Sequence, residues 1–299
     1  MAQITAANVK ALRERTGAGM MDCKKALAAA DGDINAAIDN LRKKGLSAMA
    51  NKSGRVAAEG MVAAEVTGNT GVILEVNSET DFVAKNKEFQ EFVNNLLELI
   101  IKSDCNTIEA LMDEKFDEQG QAVSLVLTKL IAKIGEKITV RRFEKVHIEN
   151  GVVATYVHAG GKIASMVSVD TLIPAPVEAI SKDIAMHVAA SNPLFINRED
   201  VSSDALEREK NVLTERAAAS GKPENIIERI VTGQLNKYYA ENCLVEQPFV
   251  KDSDQTVSQL LASADTEARV SAIYRYQLGE GIEKKESDFA AEVSAQIHG

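Results

Sequence analysis

The residues best suited to chemistry lie in one short polar stretch of the sequence, residues 77–86. There a carboxylate, Asp81, stands directly beside a phenyl ring, Phe82, although only 4% of the chain is aromatic and it contains no Trp. This pairing suits binding more than bond making, because a buried ring and a desolvated carboxylate form a compact binding hot spot. We therefore interpret residues 77–86 as a segment that inserts into a binding partner.

The rest of the sequence lacks the residue patterns of a catalytic or metal site. It contains no HExxH, no GxSxG and no GxGxxG after a predicted strand, and Gly161-Lys162 and Gly221-Lys222 lack the other residues of a phosphate-binding loop. The four His residues are scattered, and Cys23, Cys105 and Cys243 have no metal-binding spacing. We therefore expect no catalysis by the chain itself, no cofactor and no metal, and free thiols in a reducing compartment.

Two predicted elements position Phe82. The apolar, β-branched run 71–76 predicts a strand and the periodic segment 87–101 predicts a helix, so Phe82 lies at a strand-to-helix corner on the surface. Alternatively, Thr80 or Asp81 caps the next helical turn and Phe82 packs into the core as a hydrophobic staple. The polar residues on both sides of Phe82 favour the exposed interpretation.

Charge is divided unevenly along the chain. The net charge is -10, yet residues 1–55 carry ten Lys and Arg against five Asp and Glu, a net of +5, which leaves -15 on the rest. Helix starts at Thr5, Gly19 and Asp33 predict a small three-helix module there, followed by a polar linker, 51–55. Phosphate contact relies on clustered Lys and Arg. The acidic overall balance therefore argues against a general nucleic-acid binder, and the +5 module favours an acidic protein partner over RNA.

The sequence shows no apolar signal segment and no candidate membrane span. Residues 1–19 already contain charged side chains such as Lys10, and no apolar run approaches the length that crosses a bilayer. We therefore expect a cytoplasmic protein that makes no contact with a membrane.

Two segments resemble the signatures of a known family. Over fifteen consecutive positions, Arg13–Leu27 is similar to the N-terminal signature of the bacterial elongation factor Ts family. Thr80, Asp81, Phe82 and Val83 are similar to a second signature of the same family. The resemblance implies that the chain binds elongation factor Tu in its GDP state and promotes the release of GDP. It also implies that these four residues form the contact that dislodges Mg²⁺ from Tu.

The resemblance implies a separate contact made by the N-terminal module. In the family this module has a ubiquitin-associated-like fold and docks on the G domain of Tu through positions that match Arg13, Met20 and Met21. From the residues alone, both Met side chains could fill the core of the bundle, as Met usually does. Two adjacent Met residues in a Gly-flanked loop cannot both point inward, so we expect at least one to be exposed.

Ile134, Gly135 and His158 match further family positions that lie close to Tu. From the residues alone, Ile134-Gly135 is an ordinary helix end, and His158 is a solvated turn residue without a second metal ligand. The chain departs from the common family pattern at Ala164, where a Gly is usual, and at Ser78, where many members carry Cys. Neither departure falls within the four-residue contact.

The order of predicted elements indicates an α+β fold with a repeated core. Segments 60–66 and 151–157 match at Gly, Val, Ala and Val, and each leads through a Gly-containing turn into a second strand and a helix. Helices at 203–220 and 224–239 predict a protruding helical hairpin, and a cap near Ser287 predicts a final helix. We predict five parts: a three-helix ubiquitin-associated-like domain (1–55), a core N-subdomain (56–146), a core C-subdomain (147–200 and 241–278), a helical-hairpin arm (201–240) and a C-terminal module (279–299).

The complete hypothesis is an exchange factor that docks on the G domain and body of Tu and inserts Phe82. In the family the arm serves self-association or contacts Tu, and the tail helix docks on Tu. Both a homodimer through 201–240 and an assembly of two copies with two Tu molecules agree with the sequence. The alternative hypothesis is a ribosome-associated or adaptor protein that binds its partner without exchange activity.

Overall fold

The computed structural model of the chain describes residues 4–16, 18–219 and 223–283. Helices occur together with small antiparallel sheets, so the predicted α+β class is confirmed. The chain divides into two compact units, which are described separately. The first contains Met1–Val62, Leu74–Phe143 and Gln277–Gly299, and the second contains Ala63–Ile73 and Glu144–Tyr276. The five predicted domain boundaries stay predictions.

The first unit begins with three helices, α1 (Ala6–Thr16), α2 (Met20–Ala29) and α3 (Ile34–Lys52). Their apolar faces meet in a small core that contains Leu12 and Leu27, both fully buried. The carboxylate of Asp33 accepts a hydrogen bond from the Ala36 N–H (2.9 Å) and caps α3 as predicted. Because α3 continues to Lys52, residues 51 and 52 of the predicted linker 51–55 belong to the helix, and the connection to β1 begins at Ser53.

The next elements form the surroundings of residues 77–86. In chain order they are β1 (Glu59–Thr67), β2 (Thr70–Ser78), α4 (Asp81–Ala84), α5 (Lys87–Lys102), α6 (Ile108–Asp113), α7 (Val123–Ile134) and β3 (Ile138–His147). The strands form one sheet in the order β1-β2-β3. The α5 helix buries residues at helical spacing from Phe89 to Ile100, as its sequence pattern predicts. The predicted strand-to-helix corner is therefore present, and the single turn α4 occupies it.

The α3 helix packs against α7 at a glycine. A Cβ atom added at Gly45 would lie 3.0 Å from Thr128 Cγ2, and the Thr128 hydroxyl lies 3.7 Å from Met49 Sδ. The missing side chain at Gly45 lets the two helices approach closely, which offsets the ~1 kcal/mol that a glycine costs inside a helix. The three-helix module is thereby seated on α7.

The second unit is built on a different sheet. Its elements are β4 (Gly151–His158), β5 (Ile163–Asp170), α8 (Pro174–Ser191), α9 (Ser203–Ala218), α10 (Glu224–Asn242), β6 (Pro248–Phe249), β7 (Asp252–Thr256), α11 (Val257–Ala264) and β8 (Arg269–Gln277). β4 and β5 pair antiparallel from Gly151 opposite Asp170 to His158 opposite Ile163. The sheet order is β4-β5-β8, β6 pairs with β7, and one apolar core joins the larger sheet to α8 and α11.

The α9 and α10 helices form the predicted helix pair. They pack together through a small cluster that contains Leu213, Ala217 and Val231. The turn residues 220–222 and the predicted helix near Ser287 lie outside the described residues. Among the helices that the structure describes, none combines the length and the apolar character needed to cross a bilayer.

Candidate partner-binding site

The corner between β2 and α5 presents Phe82 to solvent. Its side chain is 76% exposed, whereas that of the next residue, Val83, is 4% exposed. Consecutive residues of a helix point about 100° apart, so one can face solvent while the other packs inward. The alternative that Phe82 is a core staple is therefore wrong, and Val83 is the side chain that anchors the turn.

Hydrogen bonds fix the backbone on both sides of Phe82. The Ser78 hydroxyl donates to the Thr80 carbonyl (2.9 Å), and the Lys85 N–H donates to the Phe82 carbonyl (3.1 Å). The side chain of Asn86 then caps α5 by accepting from two backbone N–H groups of its first turn. The ring is therefore carried by a short segment that is closed at both ends.

The turn that follows α7 holds the same corner. The helix ends at Ile134, and Gly135 has a φ of +86°, in the left-handed region that favours glycine. The next residue, Glu136, accepts hydrogen bonds from the Thr80 N–H (2.9 Å) and the Thr80 hydroxyl (2.7 Å). Thr80 occupies the N-cap position of α4 but makes no capping bond with its side chain. Its hydroxyl instead ties the corner to the turn that follows α7, so the interpretation that Thr80 caps the helical turn is wrong.

A second carboxylate strengthens this link. Glu79 Oε1 accepts from the Lys137 N–H (2.5 Å) and lies 3.2 Å from Arg55 Nη1. The Lys137 ammonium donates to the backbone carbonyls of Ser53 (2.7 Å) and Arg55 (2.8 Å), directly after α3. We call this group the corner junction, and its members are Ser53, Arg55, Glu79, Thr80, Glu136 and Lys137.

Charged side chains surround the Phe82 ring. The carboxylate of Asp81 accepts a hydrogen bond from Lys85 Nζ (3.1 Å), and both side chains are more than half exposed. The same ammonium lies 5.7 Å from the centre of the Phe82 ring. An exposed ion pair one helical turn apart contributes only about 0.3–0.5 kcal/mol. The Asp81 carboxylate can therefore leave Lys85 and bind elsewhere at little cost.

A buried carboxylate on β2 fixes the strand that leads into the corner. Glu75 is fully buried and accepts hydrogen bonds from Arg141 Nη1 (2.9 Å), Arg142 Nε (2.6 Å) and the Gly279 N–H (2.8 Å). Burial acts to raise the pKa of Glu75, but these donors and the amide of Asn77 outweigh it and lower the pKa below its usual value. The carboxylate is therefore ionised and fully engaged with its donors.

The N-terminal module exposes its own apolar residues. Met20 and Met21 begin α2 and are 60% and 61% exposed, and Arg13 on α1 is exposed as well. The core of the three-helix module is instead filled by residues such as Cys23 and Leu27, both fully buried. The expectation that at least one Met is exposed is therefore confirmed, and the alternative that both fill the core is wrong.

Comparison with known proteins assigns the family. The model of the family described as Elongation factor TS matches residues 79–280, well over half of the chain. The chain belongs to the elongation factor Ts family. Membership makes it a translation elongation factor.

Relatives named Elongation factor Ts match along nearly the whole chain. The protein from Magnetococcus marinus is 49% identical over 301 residues, which cover 99% of this chain and 99% of that protein. The one from Trichlorobacter lovleyi is 49% identical over 304 residues, with 98% of each chain covered. The one from Clostridium botulinum is 48% identical over 301 residues, which cover 98% of this chain and 99% of that protein.

The remaining family position, His158, lies in the second unit of this elongation factor Ts chain. It is exposed at the end of β4, and its Nδ1 lies 3.0 Å from the Tyr156 hydroxyl, with the two rings stacked. Neither ring is buried. Across the part of the chain that the structure describes, no three His, Cys, Asp or Glu residues are grouped so that they could hold a metal ion.

The structure brings together some of the predicted site residues and adds others. Thr80–Val83 and Ile134–Gly135 are linked through Glu136, which sequence reasoning did not single out. Sequence reasoning did not single out Glu79 and Lys137 either. Contacts within the corner junction join residues 24 to 84 positions apart in the sequence, so no local pattern could reveal them.

Proposed function

We propose that the chain is the guanine-nucleotide exchange factor of elongation factor Tu. It binds Tu in the GDP state, accelerates the release of GDP and thereby allows GTP to enter. The observation that carries this proposal is the 76% exposure of Phe82 on a turn whose backbone is held from both sides. An exposed ring on a rigid corner is available to a partner without any rearrangement of its own chain.

The proposed role requires a difference in affinity between two states of Tu. A factor that promotes release must bind nucleotide-free Tu more tightly than Tu with GDP, and by linkage the nucleotide weakens binding of the factor by the same ratio. An almost complete shift requires about 5.5 kcal/mol of differential affinity. Burial of one Phe side chain supplies only about 1.5–3 kcal/mol. Phe82 can therefore act as a wedge but must be supported by other contacts.

The proposed wedge acts together with the adjacent carboxylate. Phe82 inserts between helices of the Tu G domain, while Asp81 competes with the groups that hold the Mg²⁺ of Tu. Loss of that ion removes the charge that screens the nucleotide phosphates, and GDP is held less tightly. Thr80 and Val83 contribute by positioning, since one is bonded to Glu136 and the other is buried. No bond is made or broken, so the chain acts as an exchange factor and not as an enzyme.

The supporting contacts are proposed for the other family positions. Arg13, Met20 and Met21 would dock the ubiquitin-associated-like module on the G domain, and their exposure supports this role. Ile134 and Gly135 would extend the contact around the wedge. His158 would contact the body of Tu from the second unit.

The proposed core is a duplication. The hairpin β1-β2, followed by α5, would correspond to the hairpin β4-β5, followed by α8. This gives the core N-subdomain 56–146 and the C-subdomain 147–200 with 241–278. The arm 201–240 would mediate self-association or contact Tu, either in a homodimer or in an assembly of two copies with two Tu molecules. The module 279–299 would dock on Tu.

The test is the rate of GDP release from Tu loaded with a fluorescent GDP derivative, followed by stopped flow after mixing with the chain. Phe82→Ala is expected to slow release at least about tenfold, because it removes about 1.5–3 kcal/mol of burial. Leu172→Ala is the matched control, because Leu172 is 86% exposed and belongs to none of the proposed contacts. It is expected to leave the rate unchanged.

Two results would contradict parts of the proposal. A normal release rate with folded Phe82→Ala would remove the wedge role. An unchanged release rate on addition of the unaltered chain would reject exchange activity altogether. Binding to Tu or ribosomes without faster release would then support the adaptor alternative.

A further inference from the structure

The short turn after α7 contacts both the wedge corner and the exit of the N-terminal module. Glu136 accepts the N–H and the hydroxyl of Thr80, two residues before the ring. Lys137 donates from its side chain to the carbonyls of Ser53 and Arg55. One turn of backbone therefore connects the two segments that carry the proposed contacts with Tu.

The helix that precedes this turn supports the module as well. α3 packs on α7 at Gly45, where a Cβ atom added to the glycine would lie only 3.0 Å from Thr128 Cγ2. The module is thus fixed to α7 along the helix, and the corner is fixed to the residues that follow Ile134. Because α7 is one rigid element, the position of the module and the position of the ring are set by the same support.

We propose that the turn 135–137 is a positioning element and that Glu136 and Lys137 are positioning residues, which hold the Phe82 wedge in register with the N-terminal module. This inference rests on the proposed function, since it concerns how the wedge is delivered. Neither residue needs to touch Tu. Glu136 acts through Thr80 on the ring, and Lys137 acts through the segment after α3 on the module.

The physical reason is preorganisation. A contact that is already held in its bound geometry avoids the entropic cost of ordering when it inserts. If the corner is released from Glu136, the module can still dock, but the ring must find its orientation in the complex. The expected consequence is a slower release step at saturating factor, with little change in the concentration that gives half of the maximal rate.

The first experiment measures GDP release from Tu over a range of factor concentrations. Glu136→Gln is expected to lower the maximal release rate about fivefold to tenfold, because a carboxylate with two donors is replaced by an amide that turns an N–H toward Thr80. Lys137→Met removes the side-chain hydrogen bonds to the Ser53 and Arg55 carbonyls and keeps the backbone N–H bond to Glu79. It is also expected to lower the maximal release rate. The factor concentration that gives half of the maximal release rate should shift less than about twofold for both variants. Exposed Glu109→Gln and Lys115→Met are the matched controls and should leave both parameters unchanged.

The second experiment separates positioning from general loss of structure. In a Phe82→Ala background, Glu136→Gln is expected to have no further effect on the release rate, because its action passes through the ring. The inference would be overturned if Glu136→Gln lowered the maximal release rate equally in the unaltered chain and in Phe82→Ala. It would also be overturned if the substitution changed only the factor concentration that gives half of the maximal rate. An unchanged maximal rate for Glu136→Gln alone would overturn it too.

The outcome for Phe82→Ala keeps the two proposals distinct. If Phe82→Ala alone releases GDP normally, the proposed wedge fails. If Phe82→Ala is slow while Glu136→Gln is normal, only the positioning role fails. Should Glu136→Gln not fold, as judged by its thermal transition, Thr80→Val takes its place, because it removes the hydroxyl donor and keeps the N–H to Glu136. It is expected to give a smaller loss of the same kind, and a normal rate would count against the inference.

Discussion

Replacement of Glu75 by Gln is expected to destabilise the chain by about 2–3 kcal/mol. Glu75 is fully buried and accepts from Arg141, Arg142, Asn77 and the Gly279 N–H. Gln keeps one acceptor oxygen and replaces the other with an NH₂ group that faces existing donors. The substitution therefore removes a charge and leaves at least one donor unpaired.

The magnitude follows from the exposure of the partners. Removal of one member of a buried ion pair usually costs about 3–5 kcal/mol, because the other charge is left buried. The side chains of Arg141 and Arg142 are 27% and 32% exposed, so water can solvate part of the guanidinium groups that remain. The expected loss therefore lies at or below the lower end of that range.

The assay is equilibrium unfolding in urea near neutral pH, with Glu98→Gln as the control. Glu98 pairs with Lys102 at 3.0 Å on the exposed face of α5, and its loss should cost only about 0.3–0.5 kcal/mol. If Glu75→Gln costs no more than this control, the buried network does not hold the β2 strand as described.

The pH dependence gives an independent check. The pKa of Glu75 is lowered from its ordinary value of 4.5, so the folded state binds the proton less readily than the unfolded state. The stability contributed by the ionised carboxylate is present above pH 4.5 and is lost as pH falls through the lowered pKa of the folded state. The difference between the unaltered chain and Glu75→Gln should therefore shrink in acid.

Two further predictions concern single residues. His187 is fully buried, accepts the Val250 N–H at Nδ1 and bonds Gln247 through Nε2. Burial lowers the pKa of His187 from 6.5, against the opposing effect of the hydrogen bond to Gln247, so the unfolded state binds a proton more readily than the folded state. The urea concentration at the unfolding midpoint should therefore fall as pH drops below 6.5. The fall should be less steep in the His187→Gln variant. Gly135 has a φ of +86° and open space around its Cα, so Gly135→Ala should lower stability in thermal unfolding by about 1–2 kcal/mol, and Gly135→Asn by less. An equal cost for both substitutions would contradict the left-handed strain.

The sequence predicts those features that depend on neighbouring residues. The helical spacing of apolar side chains locates α5 to within one residue, because burial of one face needs only the local period. The strand and the helix on either side then place Phe82 at a corner. The expectation that at least one of Met20 and Met21 is exposed rests on a local argument too, since adjacent side chains cannot both enter a small core; the structure exposes both.

Contacts that close over long sequence separations are not predictable in this way. The Thr80 hydroxyl was a plausible helix cap from its neighbours, but Glu136 offers a charged acceptor 56 residues away. A charge-assisted hydrogen bond is stronger than a neutral one, and it decides the orientation of the hydroxyl. Glu136 itself follows an ordinary glycine helix end, so its own neighbours give no sign of the contact.

The surroundings of Phe82 explain how an exposed aromatic ring is tolerated. A single ring beside Asp81 and Lys85 is smaller than the contiguous apolar patches that drive self-association. The same isolation limits what the ring can contribute to the proposed binding, since its burial would supply about 1.5–3 of the roughly 5.5 kcal/mol that the proposed exchange role requires. The rest must come from distant contacts that engage at the same time as the ring. The proposed mechanism therefore requires a shared support such as α7 and the corner junction, because separate contacts add their energies only when they are held in register.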